Sequence, residues 1–249
     1  MKDVNVRLAD LELAIFGCEP FSSILYKHFP PRRNAFVLEV GSGSGKLSIN
    51  YAIRGCCATL LDVDEEVLNY SWDLVQASNH ILRSALTVII RRGSVLELPF
   101  EDNSFSFAFS EGLFEHFLGE KRQKCFSEIA RVSREKVLVF VPNAQSEEAM
   151  KNAEVLEFTY PTTERKETPF APSELLNSMT NAGLHNVLVA PVFGEDLKTS
   201  KMLYAVGEKN VVERGSNQEG SKISPRPDKG LQVENQVEPK DSAGTEQGT

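Results

Sequence analysis

The sequence predicts an α/β fold. Its frame is a mostly parallel, seven-stranded sheet with helices on both faces and an antiparallel hairpin at the C-terminal end. Three observations carry this. Short apolar runs alternate with helix-like stretches through residues 35–207, which is the pattern of crossover units. The last two apolar runs are joined only by "FGEDLKTS", too short for a crossover helix, so they pair antiparallel. The chain has 249 residues, 41% of them hydrophobic, which is enough for a sizeable core.

Residues 1–34 read as a helical N-terminal cap. Leu8, Leu11, Ala14 and Ile15 share one apolar face, "FSSILYKHF" forms a second short helix, and Pro30 and Pro31 stop helical structure. The strand-like runs that follow are "AFVLEV", "ATLLD", "LTVIIR", "FSFAFS", "KVLVFV", "NVLVAPV" and "KMLYAV". A helix begins near Lys46. A second, in "DEEVLNYSWDLVQAS", places Leu68, Trp72 and Val75 on one face. A third follows the spacing Leu118, Arg122, Cys125, Ile129 and Val132, with the arginine at the edge of the apolar face. "PSELLNSMTNAG" is the last helix, with Pro172 and Ser173 at its start and Gly183 at its C-terminal end. Residues 144–172 form a long insertion between a strand and a helix, and long connections of this kind are usually functional or disordered. Residues 208–249 contain no aromatic residue and are rich in Gly, Ser, Glu, Gln, Lys and Pro, a composition expected to stay disordered.

Composition narrows the function. The net charge is −8 and the pI about 5.2. An acidic chain lacks the broad basic footprint of nucleic-acid binding, so no DNA partner is expected. The short pairs Arg32–Arg33 and Arg91–Arg92 read as solvated loop ends. Cys18, Cys56, Cys57 and Cys125 form no C-x-x-C pair and read as free thiols, with neither a disulfide framework nor a metal site expected. The N-terminus has acids at Asp3, Asp10 and Glu12 and no signal-peptide pattern. No run is long enough to span a bilayer, and a cytoplasmic location is expected.

The chemistry centres on "VLEVGSGSGKLS", residues 37–48. A phosphate-binding P-loop would need glycine at Val40 and Ser or Thr at Leu47. A dinucleotide fingerprint would need its third glycine at Lys46; instead it comes one residue early, at Gly45. What remains is Glu39 followed by Gly41, Gly43 and Gly45 on a strand-to-helix turn. Such a backbone lets a ligand approach closely, and the helix N-terminus favours a carboxylate. Asp62 closes the next strand 21 residues after Gly41, where an acid commonly holds a ribose hydroxyl pair. Asp64 reads as the cap of the following helix. The joint pattern predicts a nucleoside site on the carboxyl edge of the sheet.

These segments resemble the class I S-adenosylmethionine-dependent methyltransferases, in particular their small "methyltransferase domain" group. "VLEVGSGSGKLS" is similar to the family's first motif and "LLDVDEEVL" to its acidic second one. "RRGSVLELPFEDNSFSFAFSEGLFEHF" resembles its run through the fourth strand, and "CFSEIARVSREKVLVFVPN" its following helix and fifth strand. The resemblance implies a Rossmann-like fold and S-adenosylmethionine as cofactor. It implies that Glu39, Gly41, Gly43 and Gly45 contact or shape the methionine end. Asp62 would hold the ribose, Val63 would pack near the adenine, and Ser94 and Val95 would meet the adenine ring. Ser110 and Glu111 would line the reactive side. Ser94 stands where the family commonly has Asp, and a neutral acceptor binds an amino group more weakly.

Methyl transfer leans on proximity and orientation, and a general base is optional. His116 and Glu115, in "FEHF", are the weak candidates for one; a structural role for both is the favoured reading. The acceptor is expected to be a small or medium organic molecule, selected by residues 1–34 and 144–172 and their aromatic residues, Tyr160 among them. Two other readings stay open: a catalytically inactive binding or scaffold protein on the same fold, and an NAD-dependent oxidoreductase.

Overall fold

The computed structural model describes residues 6–155, 158–160, 163–165 and 167–210, with side chains described for 6–151 and 167–210. The expected disordered tail therefore lies almost wholly outside the described residues. Seven strands form one sheet: β1 (Phe36–Val40), β2 (Cys57–Asp62), β3 (Val88–Arg92), β4 (Phe105–Glu111), β5 (Ser133–Pro142), β8 (His185–Pro191) and β9 (Met202–Glu208). A separate two-stranded ribbon, β6 (Phe158–Tyr160) with β7 (Thr163–Arg165), lies within the insertion. The helices are α1 (Leu8–Phe16), α2 (Phe21–His28), α3 (Lys46–Ile53), α4 (Glu65–Leu82), α5 (Gly119–Val132), α6 (Glu147–Val155) and α7 (Pro172–Asn181).

The sheet order is β3-β2-β1-β4-β5-β9-β8. The pairs from β3 to β5 are parallel, and β9 runs antiparallel between β5 and β8. This is the Rossmann-like arrangement with the antiparallel hairpin that the sequence predicts. Strand order reverses between β1 and β4, so the loops after β1 and β4 diverge and leave a crevice at the carboxyl edge.

Period-two alternation divides the core between the two faces of the sheet. Val37, Phe107, Phe109, Leu138 and Phe140 pack with Leu25, Phe29, Leu47 and Tyr51 of the α2–α3 side. Leu38, Val40, Ala108, Val137, Val139 and Val141 pack with Phe126, Ile129, Leu175 and Met179 of α5 and α7.

The structure corrects several expectations. Trp72 does not share the buried face of α4: it is 38% exposed, while Leu68, Ser71, Leu74 and Val75 are buried. Leu8 is exposed, so Leu11 and Ala14 carry the buried face of α1. Arg122 is buried rather than at an edge. Its guanidinium is satisfied by Glu174 at 2.6 Å, Phe117 O at 2.6 Å and Thr168 O at 2.8 Å, and it lies 4.0 Å over the Phe170 ring. Arg91 and Arg92 belong to β3, not to a loop, and Arg92 pairs with Glu65. Glu208, expected in the tail, closes β9, where Lys136 at 3.1 Å and Asn186 at 2.9 Å hold its carboxylate. Helix α6 and the β6–β7 ribbon were not read from the sequence. The four cysteines are free thiols. No helix among the described residues is long and apolar enough to cross a membrane.

Candidate active site

The loops after β1, β2 and β4 enclose a cavity of about 1250 Å³, with the residues just after β3 in its wall. Ligand sites commonly hold about 300–1,000 Å³, so this one has room for a cofactor and a second molecule.

The glycine loop forms its floor. Gly41, Gly43 and Gly45 all have positive φ, at 65°, 52° and 71°. Their side-chain space differs. A Cβ on Gly45 would lie 1.9 Å from Leu60 Cδ2, inside the core. A Cβ on Gly43 would meet nothing within 4 Å. Gly45 is thus demanded by packing, while Gly43 leaves an open cradle on the cavity. The loop is pinned at both ends of the Gly43 residue: its N–H donates to Asp62 Oδ2 at 3.0 Å, and its carbonyl accepts from Ser71 Oγ at 2.8 Å.

Glu39 shares the face of Val37, so its carboxylate points towards α3 and accepts from Ser48 N at 3.1 Å. It is 3% exposed. Burial raises its pKa to about 8; the Ser48 bonds oppose the rise, and the Glu111 and Asp62 charges add to it.

Asp62 accepts from Gly43 N and, at 3.1 Å, from Asp64 N. Asp64 caps α4 through Glu66 N and Val67 N, as expected. Val63 lies beside Asp62 in the lining. Across the cavity, Ser94 Oγ accepts from Leu96 N at 3.2 Å, and buried Val95 also lines the wall.

After β4 the alternation of the strand separates two residues that were expected together. Glu111 shares the face of Phe109 and opens into the cavity; protein around it raises its carboxyl above the ordinary range, partly offset by Lys46. Ser110 shares the face of Ala108, is fully buried, and is not among the lining residues. His116 lines the cavity, while Glu115 is buried beside it and does not.

The sequence reading missed the charged rim. Lys46, read as an ordinary first-turn residue, lines the cavity and reaches back to Asp10 of α1 at 3.1 Å. Asp10 also accepts from Tyr70 at 2.5 Å and from Arg7 at 2.7 Å. Burial would raise its pKa, but these three partners together lower it. No local motif announces such a network, because its members come from α1, α3 and α4. A second constellation was also missed: the fold brings Glu167 of the insertion to Glu115 and His116.

The comparisons bear on this geometry. The methyltransferase domain family profile matches residues 38–141, a span that runs from β1 to β5 and holds the glycine loop, Asp62, Ser94 and Glu111. Residues 38–141 carry the signature of a methyltransferase domain. Similar solved structures include a magnesium protoporphyrin IX methyltransferase from Synechocystis PCC 6803 with bound SAH (11% identity, covering 82% of this chain and 85% of that one, TM-score 0.57). They also include a SAM-dependent methyltransferase, possible histamine N-methyltransferase, from Thermotoga maritima (17%, 76% and 87%, 0.56). A third is a SAM-dependent methyltransferase from Methanosarcina mazei (16%, 75% and 96%, 0.58). At these identities the likeness speaks for the fold. No curated protein matches the sequence. For a methyltransferase domain, the additions of this chain are α1 and α2 before it and the stretch 144–172 after β5.

Proposed function

We propose that the protein is an S-adenosylmethionine-dependent methyltransferase acting on a small or medium organic acceptor. One observation carries the reading. Glu39, the open cradle at Gly43, Asp62 and the Ser94–Val95 edge converge on a single cavity with room for two ligands. Three features test the fit to the cofactor. The cradle at Gly43 is one that a side chain would fill. The buried Glu39 carboxyl suits an ammonium. The loop also lacks the residues that both phosphate-binding fingerprints require.

The cofactor supplies a methyl group already activated on a sulfonium. The rest falls to the protein's own residues. Glu39 and the N-terminal N–H groups of α3 would hold the ammonium and carboxylate of the amino-acid end. Asp62, kept in place by two backbone N–H donors, retains lone pairs for the ribose hydroxyls. Ser94 offers a neutral hydroxyl near the base. Beyond β4, Leu113, His116, Phe117 and Lys121 form the wall against which an acceptor would be oriented.

Calorimetry with S-adenosylmethionine, S-adenosylhomocysteine and NAD tests the proposal. Binding of the first two at roughly micromolar dissociation constants, about −8 kcal/mol, is expected, with loss on Asp62→Ala and no NAD binding. Acceptor screening would then follow release of the homocysteine product. NAD binding would favour an oxidoreductase. Cofactor binding without turnover on any acceptor would favour the inactive scaffold, and absence of all ligand binding would overturn the reading.

A further inference from the structure

Glu115, His116 and Glu167 each offer a donor atom, and these atoms lie within 4.8 Å of one another. A cation held at about 2.0–2.2 Å by carboxylate oxygen and imidazole nitrogen needs donors about 3–4 Å apart. Side-chain adjustments that shorten the longest separation by roughly 1–2 Å close the set around an ion. Proximity of acids alone would mean little. The second observation is the state of Glu115: it is 2% exposed, and its Oε2 has no hydrogen-bond partner. A buried, unpartnered carboxylate oxygen is costly unless something satisfies it.

The surroundings bring the donors together without neutralising them. Thr168 N donates to Glu115 O at 2.9 Å, joining the strap that carries Glu167 to the short 3₁₀ turn Phe114–His116. Arg122 fastens the same two segments, donating to Phe117 O on one side and Thr168 O on the other. Its charge is spent on Glu174, at 2.6 Å, and on carbonyls, so neither carboxylate of the trio takes it as an ion-pair partner.

We infer that Glu115, His116 and Glu167 form a site for one divalent cation, set behind the cavity wall at His116. Two carboxylates and one imidazole are a donor set for Mn²⁺ or Zn²⁺ rather than for a soft, thiolate-seeking ion, and three protein ligands leave coordination positions open. An oxygen or nitrogen of the methyl acceptor, or water, would take those positions. The role in orienting an acceptor rests on the methyltransferase reading of the cavity; the binding of the ion does not.

The test uses the full chain, freed of metal with EDTA and dialysed. MnCl₂ is the primary probe, because Mn²⁺ avoids the four free cysteines that could capture Zn²⁺. Titration followed by the loss of the free-Mn²⁺ electron paramagnetic resonance signal is expected to show one site per chain. Glu167→Gln, at a half-buried position, is expected to weaken it by about tenfold or more, and Glu115→Gln likewise if it folds. Glu167→Gln should keep its circular dichroism and its S-adenosylhomocysteine affinity. No Mn²⁺ binding at millimolar concentration, or binding unchanged in Glu167→Gln, overturns the site. S-adenosylhomocysteine titrated into the metal-free protein keeps the two readings apart. Cofactor binding without Mn²⁺ binding sinks only the metal site; Mn²⁺ binding without cofactor binding sinks only the methyltransferase reading.

Discussion

Gly43 and Gly45 are two residues apart, and both have left-handed backbone, yet the structure gives them different jobs. Substituting each by alanine separates those jobs. An L-residue held at positive φ costs about 1–2 kcal/mol, and both variants carry that cost. Gly45→Ala adds a Cβ 1.9 Å from Leu60 Cδ2. Leu60 is fully buried in β2 and packs against Ala52 and Ala58, so it has little room to yield. Overpacking of this kind costs about 1–3 kcal/mol. The expected losses are therefore about 2–5 kcal/mol for Gly45→Ala and about 1–2 kcal/mol for Gly43→Ala. Urea unfolding of the ligand-free proteins measures both. Calorimetry with S-adenosylhomocysteine should rank them the other way. Gly43→Ala fills the cradle and should weaken binding by roughly tenfold or more, about 1.4 kcal/mol. Gly45→Ala should lose less affinity, provided that it is folded at the assay temperature. Equal destabilisation by the two substitutions would refute the packing argument. Undiminished affinity in Gly43→Ala would refute the cradle.

Two further outcomes follow from buried carboxyls of opposite sign. Glu39 has its pKa raised to about 8, so its folded form holds a proton that the unfolded chain releases near 4.5. Its contribution to stability is full below that value and declines as pH rises towards 8. A cofactor ammonium would favour the ionised form, so binding near pH 7 should release up to about one proton. Calorimetry in buffers of different ionisation enthalpy reads this, and the same release in Glu39→Gln would rule the assignment out. Glu128 is the converse case. Its bonds from Arg131, backed by Leu98 N at 2.9 Å, overcome burial and hold its carboxyl at about 2. Held there rather than near 4.5, it contributes on the order of 3 kcal/mol above pH 4.5, lost as pH falls towards 2. Glu128→Gln should therefore cost about 2–3 kcal/mol at pH 7, and the gap to wild type should narrow in acid unfolding series; a gap independent of pH would exclude it.

What the sequence made legible was local or periodic. The seven strands, the hairpin, the Asp64 cap and the glycine loop each leave a mark within a dozen residues. Much of the cavity lining, Glu39, Gly41, Gly43, Asp62 and Glu111, was legible for the same reason, since each lies at or near the end of a strand. The errors share a physical cause as well. Ser110 was placed in the cavity with Glu111 because both end β4, but consecutive strand residues face opposite layers and only one of them could point there. Trp72 was placed in the core because helical spacing allowed it; exposure depends on where the sheet ends, which spacing does not encode. Arg122 was placed at an edge because a buried guanidinium needs a full set of acceptors. Those acceptors are Glu174 and three carbonyls whose positions only the fold defines.

The N-terminal helices show how far such unlocal contacts reach. Read as an N-terminal cap, α1 and α2 are fastened to α3 and α4. Asn50 of α3 donates to Ala14 O at 2.9 Å and Ile15 O at 3.2 Å, and Tyr51 donates to Phe29 O at 2.9 Å. Asp10 then gathers Lys46, the first residue of α3, with Tyr70 of α4 and Arg7. The helix whose N-terminus meets the glycine loop is thereby held by α1 and α4 as well as by the sheet. These contacts bury Asp10, Ala14, Asn50 and Tyr51 almost completely, so displacing α1 would expose α3 and leave polar groups unpaired at each step. Cys18 and Phe21, at the start of α2, still reach the cavity. The same segment therefore braces the helix behind the glycine loop and lines the cavity beside it. The other stretch outside the matched span, residues 144–172, is fastened elsewhere: it meets the sheet through Asn143 and Phe170 and the turn at Glu115 through Thr168.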